Sequence, residues 1–184
     1  PYPVSLMGVA GIVRTALSET QNYMARRTRD EIPVDAGQEL LARVLRREIP
    51  IRIHSFTPVE IQAILRLQDE FGFLFTVEHG FEAHFIADEL ARRNIPVVYG
   101  PGPGLRRHKM FPHRGPHVPA ILQRAGVKVS LQTDHPDRNI TQLRLFGAVL
   151  VRYTDLTPAE VMQMLTINGA EIIGVADRVG SITT

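Results

Sequence analysis

The 184-residue sequence contains no cysteine. Neither a disulfide framework nor a thiolate metal site is therefore available, and any metal must be held by His, Asp or Glu. Lysine is nearly absent too, occurring only at Lys109 and Lys128; the basic charge is almost all arginine, and no partner follows from that. The apolar run at residues 4–13 falls well short of the ~20 residues a membrane span needs, and no basic stretch precedes it as in a signal peptide. No block of one charge sign occurs. The formal net charge is +2, with basic and acidic residues interspersed, which argues against a nucleic-acid partner. Low-complexity segments and internal sequence repeats are missing as well. These absences leave a soluble, cytoplasmic protein of one domain as the expectation, with a hydrophobic fraction of 44% that is ordinary for a globular chain. The sequence also opens on Pro1-Tyr2-Pro3 instead of methionine, from which a processed or excised piece of a longer protein is expected.

What is present has a regular order. Val9, Ile12, Val13, Ala16, Leu17 and Met24 recur at helical spacing, which predicts an amphipathic helix over 8–27; a second helix is predicted over 37–47. From residue 49 onward, short β-branched runs alternate with helical stretches, the signature of βα units on a parallel sheet. Four such units are counted. The first strand, Ile51-Arg52-Ile53-His54, precedes Thr57-Pro58-Val59-Glu60, a capping box with proline at the first helical position, and Gly72 ends that helix. Strands are predicted over 73–78, 96–99 and 127–132, with helices over 85–93, near 118–125 and over 141–152. Thr157-Pro158-Ala159-Glu160 repeats the capping signature for a further helix. The expected organisation is an α/β domain over 1–184, with leading helices (1–48), four βα units (49–152) and C-terminal helices (153–184).

In parallel α/β folds the reactive groups lie at the carboxyl ends of the strands, where loops vary freely while the strands hold their last residues rigidly. The first strand ends in His54, the second leads into His79, and the fourth leads into Asp134. A single histidine ending a strand is more often a hydrogen-bonded structural residue than a ligand, and that alternative stays open for each. Three ligand types at equivalent places on four units favour a shared metal or catalytic site. His54 and His79 offer imidazole nitrogens to a cation such as zinc, and Asp134 a carboxylate oxygen, leaving room for a water whose pKa the metal lowers toward ~7. A carboxylate beside that water, as Asp134 would be, can take its proton and pass it to a leaving nitrogen.

Other features carry less weight. Gly100-Pro101-Gly102-Pro103-Gly104 is neither a P-loop nor a dinucleotide fingerprint, because its prolines remove N–H groups that would cradle phosphate. The loop holding His108, His113 and His117 is either a solvated connection or a lid, with His113 the first choice for a role at the site. Glu78 alternates with His79 along the strand and is expected to face the helices in a structural hydrogen bond. His84 is expected in the first turn of a helix, and His135 as a supporting group beside Asp134.

Ile49-Pro50-Ile51-Arg52-Ile53-His54, Glu70-Phe71-Gly72, Val77-Glu78-His79-Gly80, Ala125-Gly126-Val127-Lys128-Val129, Thr133-Asp134-His135-Pro136 and Thr166-Ile167-Asn168-Gly169-Ala170 through Arg178-Val179-Gly180-Ser181-Ile182 together resemble the amidohydrolase superfamily, in particular its imidazolonepropionase-related, prolidase-like branch. The resemblance covers essentially the whole chain. It implies a (β/α)8 TIM barrel of which this chain supplies a partial barrel, about strands 5–8. It also implies that His54, His79 and Asp134 belong to the metal site, with His79 and Asp134 catalytic. The implied cofactor is a divalent metal, zinc first, with iron, manganese or nickel open. The sequence departs from the family in having no His-x-His pair, no lysine where a carboxylated lysine would bridge two metals, and Gly169 where relatives commonly have proline.

A partial barrel leaves sheet edges that invite pairing, so a homo-oligomer or a partner half carrying the missing strands is expected. The working function is hydrolysis of a carbon–nitrogen bond in a small amide, cyclic imide or dipeptide by a metal-bound hydroxide. The competing reading is a catalytically incomplete barrel fragment acting as scaffold or binding module, supported by the missing His-x-His. A phosphate-binding barrel half is disfavoured, since no Gly-rich strand-to-helix turn with free N–H groups follows the last strands.

Overall fold

The computed structural model describes residues 5–29, 32–102 and 109–182, and it contains the alternation of helices and short strands that the sequence predicts. Two helices lead, α1 (Leu6–Arg27) and α2 (Ala36–Leu45). Then come β1 (Ile51–Ser55), α3 (Pro58–Phe71), β2 (Phe75–His79), α4 (Ala87–Arg92), β3 (Val97–Tyr99), α5 (His117–Arg124) and β4 (Val129–Leu131). Three helices close the chain: α6 (Leu143–Tyr153), α7 (Pro158–Leu165) and α8 (Ile167–Ile172). Two compact units result, one of residues 1–51 with 59–75 and one of residues 52–58 with 76–184.

In the first unit, Ser5 and Asp35 cap α1 and α2. Their side-chain oxygens accept from the N–H of Gly8 at 3.1 Å and of Gln38 at 2.9 Å, each satisfying a donor that a helix start leaves free. The buried Thr20 hydroxyl lies 2.8 Å from both Ala16 O and Gln38 Oε1 and shares its proton between them. The Tyr23 hydroxyl donates to Glu39 Oε1 at 2.7 Å. These contacts fix the register of α1 against α2. Leu17, Ala42, Ile61, Leu65 and Phe73 supply the apolar core, at ~1.5–3 kcal/mol for each large side chain removed from water.

The second unit carries a four-stranded sheet in the order β1-β2-β3-β4. The β2–β3 and β3–β4 pairs are parallel, with Val77, Val97 and Val129 in one register row and His79, Tyr99 and Leu131 in a later one. The valine row is fully buried, as expected where helices cover a parallel sheet. Tyr99 and Leu131 line a small cleft with Phe146 and Leu150 of α6, while Leu90, Val118, Leu122 and Met164 complete the core. The predicted cap of α7 forms: Thr157 Oγ1 accepts from Glu160 N–H at 3.2 Å, and Thr157 N–H donates to Glu160 Oε2 at 2.7 Å. A parallel sheet flanked by helices in consecutive βα units is an α/β fold consistent with part of a (β/α)8 barrel.

The differences from the sequence reading are local. β3 starts at Val97, because Pro96 has no N–H to give a ladder, and β4 spans only Val129–Leu131, paired with Val97–Tyr99. Helix α4 begins at Ala87 after a 3-10 turn, Ala83–Ile86, so His84 sits in that turn instead of in the α-helix. A second 3-10 turn, Ile140–Gln142, precedes α6. The closing stretch breaks at Thr166, whose φ of −134° and ψ of −92° are not helical, so it yields two helices.

Candidate functional site

The ends of β1 and β2 meet. The His54 and His79 rings lie 4.3 Å apart between centroids and nearly perpendicular, at 74°. The backbone makes this possible by turning sharply after β2. His79 and Gly80 take φ of +74° and +53° in succession, and a Cβ on Gly80 would fall 2.7 Å from Val97 Cγ1, so only glycine fits there. The turn is held to the chain after β1 by Gly80 N–H donating to Ser55 O at 3.0 Å and Glu82 N–H donating to Phe56 O at 2.9 Å. A left-handed φ at a histidine costs on the order of 1–3 kcal/mol, and such outliers gather at functional sites.

His79 is buried, with Nδ1 2.7 Å from Gly100 O, while His54 is exposed. Three phenylalanines back the pair: the Phe56 ring lies 4.5 Å from His54 and 5.1 Å from His79, Phe81 lies 5.7 Å from His79, and Phe111 lies 4.6 Å from Phe56. Phe81 and Phe111 are buried. The Arg114 guanidinium sits 4.3 Å over the Phe81 ring and donates to Pro101 O at 3.2 Å. The histidines therefore have an apolar wall behind them, which strengthens any charge interaction made at their ring nitrogens.

The other expected site residues have surroundings of their own. Asp134 is exposed, three residues past the end of β4, with φ of +54° in a turn closed by Asp137 N–H donating to Asp134 O at 2.7 Å. His135 follows it, exposed. His113 packs its ring 5.2 Å from Phe85, and its backbone N–H donates to Glu82 Oε1 at 3.2 Å. His117, at the start of α5, stands edge-on 5.2 Å from His84. Burial, then the nearby His117 and His113, push His84 down to about 4. His108 lies outside the described residues.

Two imidazoles in ring contact, one anchored through Nδ1, match half of a nitrogen-and-oxygen metal set. Among the described residues, however, no group of three or more His, Asp or Glu side chains is arranged to hold a metal ion. The pair alone does not fit a structural or catalytic zinc, which needs at least three protein ligands. Glu78 does make structural hydrogen bonds, but to strand residues instead of helices: Arg52 Nη2 donates to Oε2 and Thr76 Oγ1 to Oε1, both at 2.8 Å. Gly100, Gln132 and Phe56 are site residues that the sequence reading did not select.

Consecutive βα units on a parallel sheet, with histidines at two strand ends, define the class of α/β folds consistent with part of a (β/α)8 barrel. The family model described as "Amidohydrolase family" matches residues 108–184. An amidohydrolase structure from Thermotoga maritima MSB8 is 33% identical, covers 98% of this chain and 49% of its own, and superposes with a TM-score of 0.92. A second amidohydrolase structure is 25% identical over 81% of this chain and 39% of its own, with a TM-score of 0.58. An adenosine deaminase from Xanthomonas campestris, with bound zinc, is 22% identical over 82% of this chain and 38% of its own, with a TM-score of 0.59, a likeness of fold. No curated protein gives a significant match. The chain belongs to the amidohydrolase superfamily, and it spans about half the length of the Thermotoga protein. No helix among the described residues is long and apolar enough to cross a membrane.

Proposed function

We propose that this chain is a catalytically incomplete portion of an amidohydrolase barrel, a scaffold that presents His54 and His79 at one end of its sheet. The observation that carries this reading is the histidine pair itself, in ring contact at 4.3 Å, with no third donor arranged around a metal among the described residues. A whole barrel, with about strands 5–8 supplied by this chain, would then hydrolyse a carbon–nitrogen bond in a small amide, cyclic imide or dipeptide. The segments from Ile49 to His54 and from Val77 to Gly80 support the imidazolonepropionase-related branch. Zinc is the first choice of metal because borderline-soft imidazole suits it. Completion would come from a partner half or a second copy pairing with the sheet edges, and the substrate from loops outside this chain. The domain organisation proposed for it remains one partial barrel over 1–184.

Metal content per chain, measured by plasma mass spectrometry on freshly purified wild type and His54→Ala, tests the reading. Incompleteness predicts metal far below one per chain in both. One metal per chain in wild type, lost in His54→Ala, would mean a complete site and would overturn it.

A further inference from the structure

We propose that Arg114, on the segment that follows β3, is the receptor of an anion-binding site, and that its ligand is a small molecule carrying a monoanionic carboxylate. Charge along the chain points there first. Acidic and basic residues are interspersed over most of the sequence, but residues 90–133 hold eight Lys and Arg and no Asp or Glu. The fold neutralises part of that excess: Arg92 and Arg93 pair with Glu89, Arg124 with Asp155 and Glu160, and Lys128 with Glu171. Lys109 and Arg114 have no carboxylate partner among the described residues, and residues 103–108 contain no acid that could supply one.

Of these two cations Arg114 is the one held in place. Its guanidinium lies 4.3 Å over the Phe81 ring, Nη2 donates to Pro101 O at 3.2 Å, and Nε is buried with no hydrogen-bond partner among the described residues. A ring face and one neutral carbonyl do not neutralise a charge, and a half-buried cation left unpaired is destabilising. Two groups close to it in the fold do not answer that charge. Glu82, buried on the turn after β2, accepts from the His113 N–H at 3.2 Å and forms no ion pair with Arg114. Tyr99 keeps its proton, because burial pushes its hydroxyl up to about 12 against the opposing pull of the Arg114 charge and the Gly115 backbone. The counter-charge therefore has to come from solution. The donors that remain select its shape. Nη1 is neither bonded nor buried, and Nη2 has a second hydrogen besides the one on Pro101 O. Donors on adjacent guanidinium nitrogens match the two oxygens of a carboxylate. Stacking on Phe81 holds the plane of the fork, and the exposed Lys109 adds a second positive charge that draws anions to the segment. Neither His54, His79 nor a metal is needed, so the site stands apart from the hydrolase reading.

Acetate is the probe, titrated into the full chain at pH 8 and constant ionic strength, with acetamide and chloride as controls. The Arg114 Nε–H, the Phe81 ring and the Gly115 N–H report binding by nuclear magnetic resonance. Acetate should give saturating shifts with half-saturation on the order of 10 mM, and acetamide and chloride none. Arg114→Lys, which keeps the charge and loses the fork, should weaken acetate binding roughly tenfold, and Arg114→Gln should leave no saturable shift at Gly115. Equal shifts with acetamide or chloride, no saturation below ~100 mM acetate, or wild-type affinity in either variant overturns the proposal. Should neither variant fold, the contrast between acetate and acetamide at the wild-type Arg114 Nε–H decides alone. His54→Ala should bind acetate as wild type does, and loss of acetate there would place the anion at the histidine pair and overturn the proposal too. Metal content judges the hydrolase reading separately, so either can fail while the other stands.

Discussion

His84 makes stability depend on pH in a way that can be separated from every carboxylate. It sits in the 3-10 turn Ala83–Ile86, with its ring 4.2 Å from Phe85 and 5.2 Å from His117, and among the described residues its buried Nδ1 has no hydrogen-bond partner. Burial first, and the fields of His117 and His113 second, lower its pKa to about 4, against ~6.5 in an unfolded chain. Above ~6.5 the ring is neutral in both states and contributes no slope. Between the two values the unfolded chain takes a proton that the folded chain refuses, so stability falls as pH falls through this window and is fully lost below about 4. At ~1.4 kcal/mol per factor of ten in proton affinity the complete effect would be ~3 kcal/mol. Since water still reaches part of the ring, screening reduces that to ~1–2 kcal/mol. Urea unfolding of wild type and His84→Gln at pH 7.5 and pH 4.5 gives four stabilities, and their double difference cancels groups that titrate alike in both proteins. His84→Gln should lose ~1–2 kcal/mol less on acidification than wild type. Equal losses in the two proteins would refute the burial argument for His84.

Two further outcomes follow from backbone geometry. Gly80→Ala places a methyl 2.7 Å from Val97 Cγ1 at a φ of +53°; it should cost ~2 kcal/mol or more in urea, and a variant as stable as wild type would show that the turn after β2 is not as tight as described. Thr157→Ala removes the cap oxygen that accepts from Glu160 N–H at 3.2 Å, so unfolding free energy should drop by ~1 kcal/mol, with no change in the His79 ring signals.

How much of this was legible in the sequence depends on what holds each feature. Helix starts were readable because their signals are local: Thr157, Pro158 and Glu160 form the cap that their spacing announces. Strand lengths were less so, since β4 has only the pairing that its neighbour β3 permits. His54 and His79 were legible as strand-end residues, and the sheet brings them into contact. The surroundings of Asp134 were not, because its place is set by a left-handed turn past the end of β4. Gly100 and Gln132 were invisible for a different reason. They act through a main-chain carbonyl and a main-chain approach, and residue type alone does not announce either.

The backbone at His79 is the strained part of the histidine pair. A structural histidine inside a protein is satisfied when its ring hydrogen bonds are made, and its backbone has no reason to be strained. His79 departs from this in its backbone, which takes a φ of +74°, while its Nδ1 lies 2.7 Å from Gly100 O. The left-handed conformation turns the chain so that Gly80 and Glu82 can bond back to Ser55 and Phe56, and Phe56 is the ring in contact with both histidines. Strain at His79, the Gly80 turn and the Phe56 wall are therefore parts of one device, and its product is a histidine held firmly at one nitrogen. Among the described residues no group of three or more His, Asp or Glu side chains is arranged with it to hold a metal ion.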